Sequence, residues 1–66
     1  MQILLNGKPR EVDDAETVGT LVARLGYAGK RIAVERNGEI VPRSRHDETR
    51  LAADDRVEIV VAVGGG

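Results

Sequence analysis

Residues 17–26 read Thr17-Val18-Gly19-Thr20-Leu21-Val22-Ala23-Arg24-Leu25-Gly26, and the fold turns on this stretch. Val18, Leu21, Val22 and Leu25 recur at i, i+3, i+4 and i+7, which lines four apolar side chains along one stripe of a helix. Thr17 stands where an N-cap hydroxyl accepts from an otherwise orphan backbone amide. Asp13, Asp14 and Glu16 put negative charge near the positive end of the helix dipole. Arg24 falls in the last turn, and Gly26 suits the left-handed residue that closes a helix. Gly19 inside the helix costs about 1 kcal/mol relative to alanine. Close packing against a sheet is the expected reason for it.

On both sides of the helix the pattern changes to that of strands. Gln2-Ile3-Leu4-Leu5 is a short apolar run closed by the turn pair Asn6-Gly7, and Lys8 to Val12 is its return, so residues 1–13 read as a hairpin. Pro9 cannot donate to a ladder, which places it at the start or edge of that return strand. Arg31 to Arg36 alternates, with Ile32 and Val34 on one face. Asn37-Gly38 is the strongest turn signal in the chain, and Ile40-Val41 is a brief strand ended by Pro42. Residues 43–50 are polar and read as a surface loop with at most a helical turn. After a turn at Asp54-Asp55, Arg56 to Val63 is the longest strand, with Val57, Ile59, Val61 and Val63 alternating.

One helix must therefore cover one face of a mixed sheet, because no second element can bury its stripe. The first and last strands are the most apolar and belong side by side at the sheet centre. The expected fold is α+β, a β-grasp: a mixed four- to five-stranded sheet packed on one main helix. Residues 1–63 form this domain, and residues 64–66 a flexible glycine tail.

Composition narrows the function. The 66 residues carry 10 Lys+Arg against 11 Asp+Glu, with no Cys, Trp or Phe. A chain of this size buries only ~60% of its unfolded surface. It has no room for a deep substrate pocket, which usually runs to roughly 300–1,000 Å³. Without Cys there is no disulfide framework, thiolate metal site or nucleophilic thiol. A net charge of −1 and Tyr27 as the lone aromatic argue against nucleic-acid binding. The longest apolar runs, Ile3 to Leu5 and Ile59 to Val63, are far short of a membrane span, and residues 1–15 lack the pattern of a signal peptide. A cytoplasmic monomer is expected.

The chemistry points to Val63-Gly64-Gly65-Gly66. Glycines have no side chains to pack and lose the most freedom on ordering, so the tail is expected to be disordered in the free protein. Extended, three glycines reach roughly 10 Å beyond the last strand. A thin arm ending in a carboxylate suits a narrow channel in another protein, and Gly66 leaves its carbonyl carbon least hindered to attack. A carboxylate is a poor electrophile and must be activated, yet the chain has no glycine-rich phosphate loop between a strand and a helix. The chain thus reads as substrate rather than enzyme. A frayed terminus or cloning scar is the bland alternative. The run's position directly after an apolar core strand weighs against it.

Five segments carry a family resemblance across nearly the whole length: Met1-Gln2-Ile3, Thr17-Val18 with Leu21-Val22, Ala33 to Arg43, Asp54 to Ile59, and the Gly-Gly terminus. Together they resemble the sulfur carriers of thiamine biosynthesis, the ThiS family of the ubiquitin-like group. The terminus is common to carriers of this type, whereas Asn37 to Arg43 is diagnostic of the thiamine branch. Three glycines stand where the family motif has two. The resemblance implies that an E1-like enzyme uses Mg-ATP to adenylate the Gly66 carboxylate. A persulfide from a cysteine desulfurase system then displaces AMP, and the thiocarboxylate delivers sulfur to thiazole synthase. No bound cofactor is implied for the chain itself, and Gly64 and Gly65 would be recognised as part of the tail.

A partner also needs a surface. If Met1, Ile3 and Leu5 point to the helix, then Leu4, Val60 and Ala62 face outward and form an apolar contact patch. His46, in a polar loop, reads as solvated, and Arg43, Arg45 and Arg50 as a solvated basic face. The rival readings are a molybdopterin-pathway carrier, a ubiquitin-like protein modifier joined through Gly66, and a β-grasp interaction module whose tail is idle.

Overall fold

The computed structural model describes residues 1–62. Among them the strands are β1 (Gln2–Leu5), β2 (Lys8–Glu11), β3 (Ile32–Arg36), β4 (Glu39–Ile40) and β5 (Arg56–Val61). One α-helix, α1 (Val18–Arg24), follows the first hairpin, and a 3₁₀ helix spans Arg43–Glu48. The sheet order is β2-β1-β5-β3-β4. β1 and β5 run parallel at the centre, and the other neighbours are antiparallel. This is the expected β-grasp, with the two apolar strands side by side and Pro9 on the edge strand β2. The tail residues Gly64, Gly65 and Gly66, and the domain boundary at Val63, lie outside the described residues.

The core is a single cluster. Ile3, Val34, Val57 and Ile59 come from the sheet, Val18, Leu21 and Val22 from the helix, and Val12 and Leu51 from the connections. Helix α1 is only seven residues long, too short to persist alone in water. Its ends are accordingly fixed. Thr17 Oγ1 accepts from the Thr20 amide at 3.1 Å, while Thr20 Oγ1 accepts from the Thr17 amide at 2.8 Å, a reciprocal capping box. Gly26 takes φ +79°, as its place after the last turn requires.

Three local expectations are corrected by the tertiary packing. Residues 43–48 form a 3₁₀ helix lying against α1 rather than a free loop. His46 is buried at 8% exposure, with Nε2 3.1 Å from the Val41 carbonyl oxygen. Gly19 is explained by this 3₁₀ helix and not by the sheet: a Cβ there would collide with the Asp47 carboxylate and lie 3.3 Å from the Asp47 Cα. Asp13, Asp14 and Glu16 precede the N-cap Thr17, as expected of charge near the helix start, but Glu16 does not point to solvent. Glu16 instead folds inward to 2% exposure, beneath Arg24 Nε at 3.3 Å, and Arg24 also reaches Asp13 at 2.7 Å.

Both hairpin turns have φ > 0 at each central residue, Asn6 and Gly7 in one and Asn37 and Gly38 in the other. Asn6 does more than turn the chain. Its Oδ1 accepts from the Ile59 amide at 2.8 Å and its Nδ2 donates to the Ile59 carbonyl at 3.3 Å, which prolongs the β1·β5 ladder by a side chain. Asn6→Gly keeps the turn and removes these two bonds, an expected loss of about 1–2 kcal/mol. Asn6→Ala should cost about 1 kcal/mol more, because alanine resists the left-handed conformation. Urea unfolding of the two variants separates the contributions.

Candidate functional site: the open sheet face

The helix and the core lie on one side of the sheet, so the alternate residues of every strand face outward. On β5 these are Arg56, Glu58 and Val60, and strand register places Leu4 beside Arg56, Ala33 beside Val60 and Glu35 beside Glu58. Ile40, opposite Glu35 on β4, shares this face and is 63% exposed. Val60 is 62% exposed. Leu4 is half-buried, in a depression of about 260 Å³ shared with Gly7, Arg56, Val57 and Glu58. Ala62 is exposed just past β5, its amide donating to the Arg31 carbonyl at 2.9 Å.

Leu4 and Val60 thus share a face without touching. The rung of Leu4, at Arg56, lies four positions from Val60, about 13 Å along the strand, with Glu58 between them on this face. The apolar residues at the β5, β3 and β4 end are Val60, its partner Ala33, and Ile40 beside Glu35, whereas Leu4 pairs with Pro9 at the other edge. Ile40 is the residue that sequence reasoning missed. The signal was available: a two-residue Asn-Gly turn fixes the register, so Ile40 pairs with Glu35 and must face away from Val34.

One end of this face is held by a polar network. Asp55, 6% exposed, accepts from Arg36 Nε at 2.7 Å, Asn37 Nδ2 at 3.0 Å and the Ala52 amide at 2.8 Å. Asn37 Oδ1 in turn accepts from the Arg56 amide at 2.9 Å. The turn at 37–38 and the turn at 54–55 are therefore fastened to each other. Burial pushes the Asp55 carboxyl up, but the Ala52 amide, Arg36 and Asn37 outweigh it and hold its pKa below the usual 3.8.

Among the described residues, no group of three or more His, Cys, Asp or Glu is placed to hold a metal, and no helix is long and apolar enough to cross a membrane. A depression of about 480 Å³, open to solvent, is lined by Glu35, Asn37, Gly38, Arg56 and Glu58. His46 Nε2 lies against a backbone carbonyl, on the opposite side of the sheet. Arg43 donates to the Lys30 carbonyl at 2.7 Å, so it steadies a loop.

Residues 3–66 match the ThiS family. The chain belongs to that family. It is 41% identical over 63 residues to the sulfur carrier protein ThiS of Bacillus subtilis, covering 94% of this chain and 96% of that one. The crystal structure of the thiamine biosynthesis protein ThiS from Geobacter metallireducens superposes with a TM-score of 0.83 at 36% identity, each chain covered fully. The chain is also 39% identical over all 66 residues to the thiazole synthase of Paramagnetospirillum magneticum, of which it spans 20%. A ThiS-family member with this sheet order is a ubiquitin-like β-grasp protein.

The Asp55 network yields a test by pH. A carboxyl depressed in the folded state adds stability that is complete above its unfolded pKa, near 3.9, and is lost as pH falls through the folded value. Asp55→Asn should therefore be less stable than the parent by about 1–3 kcal/mol at neutral pH. The gap should narrow as the pH drops below the ordinary carboxylate range. Urea midpoints measured from neutral pH down to the acid limb check both statements.

Proposed function

We propose that this chain carries sulfur for making the thiazole of thiamine, with Gly66 as the reacting terminus. The observation that supports this most directly is the match to the B. subtilis sulfur carrier over nearly the full length of both chains. Its acceptor is thiazole synthase, a reading supported by the likeness of the whole chain to about a fifth of a protein of that name.

In this scheme an E1-like enzyme binds the open sheet face and threads Gly64, Gly65 and Gly66 to its nucleotide. A Gly66 carboxylate oxygen attacks the α-phosphorus of Mg-ATP, expelling pyrophosphate and leaving an acyl-adenylate. The terminal sulfur of a persulfide, supplied by a cysteine desulfurase system, adds to the acyl carbon and expels AMP. A thiol then cleaves the resulting S–S bond reductively and frees the thiocarboxylate, whose sulfur passes to thiazole synthase in the cytoplasm. The chain contributes no catalytic group and binds no cofactor of its own. It supplies a rigid grip and an unhindered acyl carbon. The absence of Cys means that no side-chain thiol competes for the activated acyl group.

Leu4, Val60 and Ala62 belong to the gripping surface. Val60→Asp or Leu4→Asp should raise the carrier concentration needed for half-maximal adenylation by about tenfold, with the thermal midpoint little changed because neither side chain is part of the core cluster. Equal adenylation kinetics for both variants would remove these residues from the contact.

The decisive measurement is intact mass after incubation with the host's E1-like enzyme, ATP and a persulfide donor. One oxygen should be replaced by sulfur, localised by fragmentation to Gly66, and deletion of Gly65 and Gly66 should abolish the change. A species that stays carboxylate throughout overturns the carrier reading, and higher-mass conjugates on a denaturing gel would point to a protein modifier instead.

A further inference from the structure

The open face carries an arrangement that folding alone does not favour. Glu35 and Glu58 are direct cross-strand partners on β3 and β5, both on the face that no helix covers. Like charges placed opposite each other weaken a sheet. Among the described residues neither carboxylate has an ion-pair partner, and Arg56, two positions along β5 on the same face, makes no ion pair either. Glu35 is half-buried, so solvent screens the pair incompletely. The two acids border the depression of about 480 Å³, with Arg56 and the Asn37-Gly38 turn on its other sides. Ile40 lies beside Glu35, and Ala33 and Val60 form the next rung along. Two carboxylates without an ion-pair partner among the described residues thus sit beside the apolar side chains Ala33, Val60 and Ile40, with Arg56 on another side of the depression.

We propose that Glu35 and Glu58 form a cation-accepting site that receives an arginine of the activating enzyme, seated beside apolar side chains that cover Ile40, Ala33 and Val60. This deepens the proposed function and rests on it. Charge complementarity selects the occupant. Two carboxylates on adjacent strands present acceptors to a planar guanidinium, which donates along more than one direction and is weakly hydrated for a cation. The repulsion that costs the free protein stability becomes attraction in the complex, so the same residues should separate stability from recognition.

The test uses the full chain, its E35Q/E58Q variant and a Glu48→Gln control in the 3₁₀ helix on the opposite side. ATP–pyrophosphate exchange by the host's E1-like enzyme and the thermal midpoint are both measured. The double variant should melt about 2–5 °C higher than the parent. Its KM as a substrate of the enzyme should rise on the order of tenfold, with kcat changed far less. The parent KM should climb with ionic strength, and that climb should flatten in the double variant. The control should follow the parent. An unchanged KM, or a salt dependence equal to the parent's, in a chain that the enzyme does adenylate overturns this inference alone. A midpoint that does not rise overturns the claim of unrelieved repulsion. If the parent chain is never adenylated, the proposed function falls and this inference with it.

Discussion

One packing contact governs the molecule: the short helix pressed onto the central strands. Val18, Leu21 and Val22 share a single buried cluster with Ile3, Val34, Val57 and Ile59. A seven-residue helix has too little internal hydrogen bonding to stand alone. A sheet with one apolar face likewise needs a cover. Each therefore depends on the other. Because the chain has only this one α-helix among its described residues, the second face of the sheet is left open. The surface available to a partner is a consequence of that economy.

Polar side chains do the work that a larger protein would leave to more core. Asn6 extends the parallel ladder between the first and last strands. Asp55 gathers Arg36, Asn37 and the Ala52 amide, tying the β3–β4 turn to the start of β5. These residues are separated in sequence by up to 53 positions. Bonds of that span fix strand register, and register decides which side chains reach the open face. The positions of Glu35, Glu58, Ile40 and Val60 therefore rest on a few hydrogen bonds at the turns. This links the fastening network directly to recognition.

In the proposed scheme, function divides between a grip and a terminus. The grip must be rigid, because the reacting carbonyl is reached only when the domain docks in one orientation. On that proposal the open face meets the demand with a small apolar area and charged side chains around an open depression. Charge of one sign raises the rate of encounter and excludes wrong partners more than it adds affinity. In the proposed scheme that suits a carrier which leaves one enzyme and visits the next.

Much of this was legible in the chain itself. Helix period, the Asn6-Gly7 and Asn37-Gly38 turns and the alternation in the last strand each reflect local rules, and they determined the elements and the sheet order. Leu4, Val60 and Ala62 were placed on the outer face by the same alternation. Ile40 was missed, although the length of the Asn37-Gly38 turn carried its register. What the sequence did not determine is every feature that depends on segments distant in the chain meeting in space. Residues 43–48 read as loop because their polar side chains give no period, yet packing against α1 orders them and buries His46. Gly19 is required by Asp47, twenty-eight positions away, and Glu16 turns inward because Arg24 covers it. The pairing of Glu35 with Glu58 needs β3 and β5 to be neighbours in one register. Local periodicity selects secondary structure, but a contact between remote segments becomes visible only once the chain has closed its core.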